Sequence, residues 1–435
     1  MWGLITVFGG IMASFCYWLY WRWTHMRMLE LAAKLPGPPA LPILGNALMF
    51  MVNPEEILSI LGNMFNEYGQ YVKFWLGPQL NICVTNPADV KSLLSSNKIN
   101  HKGPLYEILI PFIGPGILTG GPTWRNHRKI AIPAYNKKSV KHFSNIFKME
   151  AEELVKVLPL LVYNHCFAKM TRWWLQIPII FWWVGGKKEE NYLVKLIDDF
   201  TGDVLEKRRK AMDTSIPDEE VTGIVDRYII SGELSEQEIK WETMSLFTTV
   251  IFICLNLTPL AERVYNEIID VVGHNESVTA EHLKELHCLD MVYKETLRYL
   301  SIAAMIQRTV DEEITINNGK ITLPVGTSLV IPIHLFHRDP RYWEDPLKVQ
   351  PERFSPENIK HRDPDAFVPF SIGPMDCLGR VYATALIKTF VVHILREIKL
   401  QPVGTLDDIK LHVAISVSIA NGYNIGIHRR ERQLP

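Results

Sequence analysis

The chain has 435 residues, 47% of them hydrophobic, and a formal net charge of −1 at pH 7. That length suits one large domain or two or three smaller ones, and the apolar content provides a sizeable core. A charge near zero, with no basic stripe interleaved with aromatic residues, argues against a polyanion- or nucleic-acid-binding protein. The six cysteines show neither disulfide nor zinc spacing, which fits a reducing, cytosolic environment for the globular part.

The N-terminal stretch, residues 1–21, carries no charge and is rich in large apolar side chains. About 20 such residues suffice to cross a bilayer, so we expect a transmembrane anchor here. Arg22, Arg27 and Lys34 follow it and no basic residue precedes it, which leaves the remaining chain cytosolic by the positive-inside rule. A cleaved signal peptide is the alternative, but a basic n-region and a clear cleavage site are missing. An interfacial aromatic belt would consist of Tyr17, Trp18, Tyr20, Trp21 and Trp23.

A basic, proline-rich segment over residues 22–46 follows the anchor. Its run from Leu35 to Pro42 contains four prolines and predicts a stiff spacer between the anchor and the fold. Residues 47–435 contain no internal repeat, no low-complexity tract and no convincing domain boundary, so we expect them to form one domain.

Hydrophobic periodicity predicts an amphipathic helix over Pro54–Tyr68 and a β-hairpin over Tyr71–Thr85. Residues 122–211 are mainly helical in pattern. Ser235-Glu236-Gln237-Glu238 is a capping box that opens another helix, and helices continue to Leu300.

A second hairpin is predicted over Ile314–Leu323, because Asn318-Gly319 supplies the positive φ angles of a tight turn. A β-rich tail follows Leu400. Long helices with a few short hairpins indicate a mainly α fold with minor β structure.

Two aromatic motifs stand in the first half. Trp124-Arg125-Asn126-His127-Arg128 places Trp124 and Arg128 on one helical face; alone, it predicts a packed tryptophan and a solvated arginine. Residues Trp173–Trp183 are strongly apolar but too short to span a membrane, so they indicate a membrane-facing access region or core packing.

The second half pairs glutamate with arginine. Glu295 and Arg298 lie three residues apart on one helical face, a spacing that is usually a solvated ion pair. Arg353 follows in Pro351-Glu352-Arg353-Phe354. His334 and His337 could in principle share a metal ion, although ordinary structural roles are the simpler interpretation.

The most informative stretch is Phe370-Ser371-Ile372-Gly373-Pro374-Met375-Asp376-Cys377-Leu378-Gly379, directly ahead of an apolar-periodic segment. It places Cys377 at a helix N-terminus, where backbone N–H groups should lower the thiol pKa. Gly373 and Gly379 would let the backbone approach a flat ligand in conformations that other residues avoid, and Phe370 would shield the sulfur. These are the requirements of a cysteine that ligates haem iron. A buried structural cysteine is the simpler alternative.

The order and spacing of these motifs resemble those of cytochromes P450, and the cysteine stretch is similar to the family's haem-binding loop, F-x-x-G-x-x-x-C-x-G. The details most resemble the fatty-acid ω-hydroxylase clan, insect members in particular. The resemblance implies the P450 fold and haem b with Cys377 as the iron ligand. It also implies a buried structural network of Glu295, Arg298 and Arg353. The implied haem-binding residues are Trp124, Arg128, Arg308, Phe370, Gly373 and Gly379.

The resemblance further implies a monooxygenase of the endoplasmic reticulum membrane, with its globular domain on the cytosolic face. It would insert one oxygen atom from O2 into a lipophilic substrate such as a fatty acid, a steroid or a foreign compound. Electrons would come from NADPH through a membrane reductase, whose acidic surface would meet basic residues such as Arg380 and Lys388.

Three departures from the P450 pattern weaken that expectation. Where the family carries A/G-G-x-D/E-T-T, no acid stands between Glu242 and Glu262, so Thr248 and Thr249 are the candidate catalytic alcohols of an incomplete proton relay. Met375 replaces a basic residue that contacts a haem propionate. After Lys156 the chain is also shorter than the family pattern. The alternative function is therefore a catalytically impaired haem-binding relic, or a peroxide isomerase whose substrate brings its own O–O bond.

Overall fold

The computed structural model describes residues 2–135, 162, 165–213, 224–250, 260–274, 276–405, 408–413, 417–419 and 425–430. The α-helices with defined bounds are α1 (Trp2–Thr24), α2 (Met26–Ala33), α3 (Ile57–Tyr68), α4 (Pro87–Ser95), α5 (Pro104–Glu107), α6 (Ile110–Ile113), α7 (Trp124–Ala131), α8 (Pro178–Trp183), α9 (Gly186–Asp213), α10 (Ile224–Ser231), α11 (Glu236–Val250), α12 (Ala261–Val272), α13 (His282–Glu285), α14 (His287–Tyr299), α15 (Ile333–Phe336), α16 (Pro356–Ile359) and α17 (Arg380–Glu397).

The strands are short. They are β1 (Tyr71–Leu76), β2 (Gln79–Val84), β3 (His101–Lys102), β4 (Ile306–Thr309), β5 (Ile314–Ile316), β6 (Ile321–Leu323), β7 (Ser328–Ile331), β8 (Ile398–Pro402), β9 (Leu411–Val413), β10 (Val417–Ile419) and β11 (Ile425–Arg429). The expectation of a mainly helical fold with small sheets is confirmed.

The largest sheet in the described residues has the strand order β1-β2-β7-β4-β3. Strands β2 and β7 run parallel, while the other neighbouring pairs are antiparallel. Every residue of β7 is buried, as expected for an interior strand covered on both faces. Strand β3 contributes two residues at the edge of this sheet, and it brings Lys102 opposite Arg308 of β4.

The predicted hairpins are confirmed. Strands β1 and β2 form the first, and β5 and β6 form the second. In the second turn Asn317, Asn318 and Gly319 take φ angles of 52°, 53° and 82°, so the left-handed run is one residue longer than expected. Helix α3 ends at Tyr68 as predicted and begins at Ile57 rather than at Pro54.

The capping box is also confirmed at the start of α11. The Oγ atom of Ser235 accepts the Glu238 N–H at 3.3 Å, and Oε2 of Glu238 accepts the Ser235 N–H at 2.8 Å. Two of the four unpaired N–H positions at this helix terminus are satisfied in this way.

Two apolar clusters hold the elements that carry the cysteine loop. One lies around the sheet and includes Leu80, Ile82 and Ile331. The other packs α17 against α12 and α14 and includes Ile268 and Val392. The loop that precedes α17 is thus supported by a helix that is itself buried along one face.

Helix α1 covers most of the uncharged N-terminal stretch. None of the helices in the described residues is long and apolar enough to count as a membrane span. The anchor expected over residues 1–21 therefore stays a prediction.

The proline-rich segment is fastened to β1 rather than standing apart as a spacer. The Lys73 N–H donates to the Pro36 carbonyl at 2.9 Å, and the Asn46 N–H donates to the Trp75 carbonyl at 2.6 Å. Between these contacts, Leu41 and Gly45 exchange both backbone hydrogen bonds. The segment continues the edge of the β1–β2 hairpin.

The glutamate and two arginines predicted to form a network lie together. Glu295 and Arg298 in α14 are both 0% exposed, with Arg298 Nη2 2.7 Å from Glu295 Oε1 and Nε 2.8 Å from Oε2. Arg353 Nε lies 3.6 Å from Glu295 Oε1. A buried ion pair is stable only when its remaining donors and acceptors are satisfied.

Backbone groups meet that requirement. The Gln350 N–H donates to Glu295 Oε1 at 2.8 Å. Arg298 donates at 2.8–3.1 Å to three carbonyls, those of His337, Pro346 and Lys348. The network therefore fixes the irregular chain between α15 and α16, which leads towards the cysteine loop.

Arg298→Met should be severely destabilising, because it leaves the Glu295 charge buried without its partner. We expect a loss of about 3–5 kcal/mol in the free energy of unfolding. Arg263→Met is the matched control, since Arg263 and Glu352 are 51% and 52% exposed and such surface pairs contribute about 1 kcal/mol or less. Urea denaturation followed by circular dichroism measures both. Equal losses in the two variants would contradict the structural role of the network.

Gly45 has a φ of +62°, and a Cβ atom there would lie 2.5 Å from the Trp75 carbonyl oxygen. Gly45→Ala therefore combines left-handed strain of about 1–2 kcal/mol with overpacking of about 1–3 kcal/mol. Gly232→Ala is the control, because Gly232 has the same φ of +62° with nothing within 4 Å of the added methyl. We expect Gly45→Ala to lower the urea midpoint clearly more than Gly232→Ala; similar midpoints would show that the close approach to β1 is not a constraint.

Candidate functional site: the cysteine loop and its cationic surround

The loop Phe370–Gly379 leads directly into α17, as predicted. It closes on itself through backbone hydrogen bonds: the Cys377 N–H donates to the Phe370 carbonyl at 2.9 Å, and the Asp376 N–H donates to the Gly373 carbonyl at 3.1 Å. Phe370 packs against the apolar cluster around α17. The Cys377 side chain remains exposed, so its sulfur is available to a ligand.

The conformation that other residues avoid, expected at both glycines of the loop, is confirmed at Gly373 and wrong at Gly379. Gly373 takes a φ of +81°, and a Cβ atom there would lie 2.1 Å from the Leu94 carbonyl oxygen. Its close approach is therefore to the end of α4. Gly379 has a φ of −79°, which any residue can adopt, so the expectation of a glycine-only conformation there is wrong. Ser371 instead takes a left-handed φ of 60°.

The expected lowering of the thiol pKa is also wrong for the protein alone. Although part of its surface is exposed, Cys377 is desolvated by the protein atoms around it, which raises the pKa of its thiol, and the neighbouring Asp376 charge raises it further. The Gly379 N–H, Lys102 and Arg128 oppose this rise without cancelling it. The desolvation of the thiol thus outweighs the stabilisation of the thiolate by the helix N-terminus. A metal ligand must lose its proton in any case, so metal binding at this sulfur would release a proton.

Trp124 and Arg128 of α7 lie beside the loop. Arg128 donates from Nη1 to the Asp376 carbonyl at 2.8 Å and from Nη2 to Asp376 Oδ1 at 2.6 Å. The guanidinium carbon is 5.5 Å from the centre of the Trp124 ring. Sequence spacing placed the two residues on one face, and tertiary packing turns that face towards the cysteine loop.

Arg308 reaches the same loop from β4. Its Nη2 donates to the Met375 carbonyl at 3.3 Å, and the residue is 3% exposed. The side chain of Met375 cannot supply the basic group that the P450 pattern has at this position, but its backbone oxygen helps to orient Arg308.

Lys102 is a third basic residue at the site that sequence reasoning missed. It stands opposite Arg308 in the β3–β4 ladder, and its Nζ lies 4.7 Å over the Tyr106 ring. Burial, then the charges of Arg308 and Arg128, lower the pKa of Lys102 well below its ordinary value, although Cys377 opposes this. In the sequence this lysine stands in an ordinary polar stretch that gives no indication of a site. Only the pairing of the two-residue strand β3 with β4 brings it beside Arg308.

This arrangement fits an anionic ligand. Like charges directly opposite each other destabilise a ladder, and within the described part of the chain neither Lys102 nor Arg308 has a carboxylate partner. Haem brings two propionates to such cations and an iron atom to a thiol. The residues present therefore fit haem, with Cys377 as ligand and Lys102, Arg128 and Arg308 as the cations available to the propionates.

Other candidate residues are placed differently. Thr248 and Thr249 fall at the end of α11, and their side chains lie outside the described part of the structure. Lys388 does not face a partner as expected; its side chain is 8% exposed and lies 2.5 Å from Asp290 Oδ1, whereas Arg380 is exposed. The turn of α17 carrying Lys388 packs inward, which the charge alone did not reveal.

The two histidines considered for metal binding are both buried. His337 Nε2 accepts the Val368 N–H at 2.9 Å, and its Nδ1 lies 3.1 Å from Ser301 Oγ. Burial lowers the pKa of His337 to about 3, so it stays neutral. In the described residues, no three His, Cys, Asp or Glu side chains are placed to share a metal ion.

Comparison with known proteins agrees with this geometry. The family model described as "Cytochrome P450" matches residues 35–160 and 160–419. "Probable cytochrome P450 4aa1" of Drosophila melanogaster is 28% identical over 474 aligned positions, covering 94% of this chain and 92% of the relative. "Cytochrome P450 4d2" of the same fly is 27% identical, covering 91% and 94%. Human "Cytochrome P450 4V2" is 25% identical, covering 94% and 91%. With most of its length matched in order, the chain belongs to the cytochrome P450 family.

Proposed function

We propose that this protein is a haem-thiolate monooxygenase that inserts one oxygen atom from O2 into a lipophilic substrate. The observation that carries the proposal is the accessible Cys377 sulfur at the start of α17, with Lys102, Arg128 and Arg308 gathered around its loop. When bound, haem supplies the oxygen-activating redox chemistry, and a cysteine thiolate favours O–O cleavage by donating electron density.

The chain's own residues would bind and orient the cofactor. Of the three basic residues around the loop, Arg128 is paired with Asp376, whereas Arg308 and Lys102 have no carboxylate partner among the described residues, so those two are the first candidates for the propionates. Arg128 is already paired with Asp376, and it would therefore hold the loop as well as a propionate. Trp124, which lies under the Arg128 guanidinium, and Phe370, which packs against the apolar cluster around α17, would shield this side of the site.

Proton supply is where this chain departs from its family. The sequence has no acid from residue 243 to residue 261, so Thr248 and Thr249 would act only as alcohols or by ordering water. Positioned proton transfer commonly contributes about 10²–10⁴-fold to a rate. A slow monooxygenase, an inactive haem protein or a peroxide isomerase are therefore the outcomes that turnover assays must separate.

We place the protein at the endoplasmic reticulum membrane, facing the cytosol. Two exposed apolar regions, helix α1 and the segment Trp173–Trp183, meet at the β1–β2 hairpin. They support the proposed contact with a bilayer. At the end of α1, Trp21 packs edge-on against Trp75 of β1. At the turn of that hairpin, a Cβ atom on Gly77 would lie 2.5 Å from Trp173, just before α8. Trp182 of α8 is 70% exposed.

Electrons would come from NADPH through a membrane reductase. The exposed Arg380, at the start of α17 beside Cys377, is the basic residue that supports docking on this side. The substrate would be a fatty acid, a steroid or a foreign compound.

Cys377→Ala tests the iron ligand. The reduced, CO-bound absorption spectrum of the haem-supplemented protein should show the red-shifted thiolate band, and the variant should lose it completely. Cys16→Ala, which changes the other exposed cysteine among the described residues, should leave the band unchanged. Retention of the thiolate band in Cys377→Ala would sink the assignment.

Restoring an acid to α11 tests the proton relay. Phe247→Gly with Thr248→Asp should raise NADPH- and reductase-dependent turnover by roughly 10²-fold or more if proton delivery is limiting. Phe247→Gly alone is the control, because it introduces the glycine without the acid. No gain over that control, together with turnover of an organic peroxide without NADPH, would favour the peroxide isomerase instead.

A further inference from the structure

A buried histidine joins α7 to α11. The ring of His127 is 1% exposed, with Nδ1 2.7 Å from Glu242 Oε1 and Nε2 3.5 Å from Glu238 Oε1. The Glu242 side chain is 2% exposed and that of Glu238 is 25% exposed. The two carboxylates are four residues apart on α11, so they project from one face of the helix and hold the ring between them.

Glu242 also fixes the loop that precedes α7. Its Oε1 accepts the Ile117 N–H at 2.9 Å, and a Cβ atom on Gly116 would lie 2.0 Å from that oxygen. The neighbouring Trp241 leaves as little room, because a Cβ atom on Gly114 would lie 2.1 Å from its ring. The loop is thus shaped around this turn of α11.

The contacts of the ring define its charge. A neutral imidazole has one N–H donor, whereas an imidazolium has two. A carboxylate facing each nitrogen, one hydrogen-bonded at 2.7 Å and the other 3.5 Å away, therefore favours the charged form of His127. Burial disfavours that form, but the hydrogen bonds and charges of Glu242 and Glu238 outweigh it and raise the pKa of His127.

Several other charged groups lie on the elements that pack around His127. On α7, Arg128 is paired with Asp376, while Arg125 and Lys129 are exposed. Helix α10, which packs against α7, carries Asp226 in an ion pair with Arg208, and also Arg227 and Tyr228. The loop of residues 114–121 contains no ionisable side chain.

We propose that His127 is a positioning residue: clamped as an imidazolium between Glu238 and Glu242, it fixes α7 against α11 and thereby holds Arg128 on the cysteine loop. The inference rests on the proposed haem-binding function, since its consequence is retention of the cofactor. Neutralising the ring releases one carboxylate contact, loosens α7 and weakens the hold on haem.

The sign of the pH dependence follows. A group whose pKa is raised in the folded protein contributes stability that is fully present below its unfolded value, about 6.5 for histidine. That stability is lost as the pH rises through the raised value. Haem should therefore dissociate faster at alkaline pH.

The test is the rate of haem transfer from the loaded full-length protein to apomyoglobin between pH 6 and 9. We expect a several-fold rise with a one-proton midpoint above about 6.5. Glu238→Gln should lower that midpoint by about half a unit or more, because it removes one charge that favours the imidazolium. Glu236→Gln is the matched control: it removes the same charge from the same helix, but its carboxylate is 50% exposed and pairs with Arg209.

His127→Asn separates titration from packing. Its amide can still donate to Glu242 but carries no proton in this range, so haem loss should be fast and independent of pH. Thermal melts by circular dichroism check that each variant is folded. The Cε1–H signal of His127, assigned by its absence from this variant, gives the protonation directly.

A signal that titrates below the ordinary histidine value, or equal midpoints in Glu238→Gln and Glu236→Gln, would overturn the inference while haem binding stands. A protein that takes up no haem would refute the proposed function and this positioning role with it.

Discussion

The buried ion pair between Glu295 and Arg298 is the constraint on which the placement of the cysteine loop depends. With both residues 0% exposed, the pair can persist only if the chain brings further partners to the remaining donors and acceptors. Backbone carbonyls after α15 and the Gln350 N–H fill that need. His337 then links this network to the next stretch, because its carbonyl accepts from Arg298 while its ring accepts the Val368 N–H. Val368 lies just before Phe370, where the loop begins.

On the other side of the loop, charge decides the arrangement. Helix α7 delivers Arg128 to Asp376, and the β3–β4 ladder delivers Lys102 and Arg308. The protein thereby places cations around a sulfur whose desolvation disfavours its own ionisation. The basic residue missing at Met375 is offset by cations from elements far away in sequence. This arrangement supports the proposal that the site binds an anionic cofactor despite a departure within its own motif.

Several features could be predicted from local sequence because local physics determines them. The hairpin turn at Asn318-Gly319 follows from positive φ angles, the start of α11 follows from the Ser235 capping box, and Cys377 was placed correctly before a helix. Features that depend on what surrounds a side chain could not be predicted. The burial of Lys388 against Asp290 and the raised pKa of Cys377 both arise from neighbours that are distant in sequence.

The sequence by itself determined the family, the order of the elements and the identity of the candidate iron ligand, because spacing along a helix, turn chemistry and the cysteine motif are properties of neighbouring residues. Beyond the predicted network of Glu295, Arg298 and Arg353, tertiary structure alone decided which charges meet. It brought Lys102 opposite Arg308, and it enclosed His127 between two carboxylates of α11. The physical reason is that the free energy of a charge depends on desolvation and on partners within a few ångströms, and folding sets both by joining segments that the sequence keeps apart.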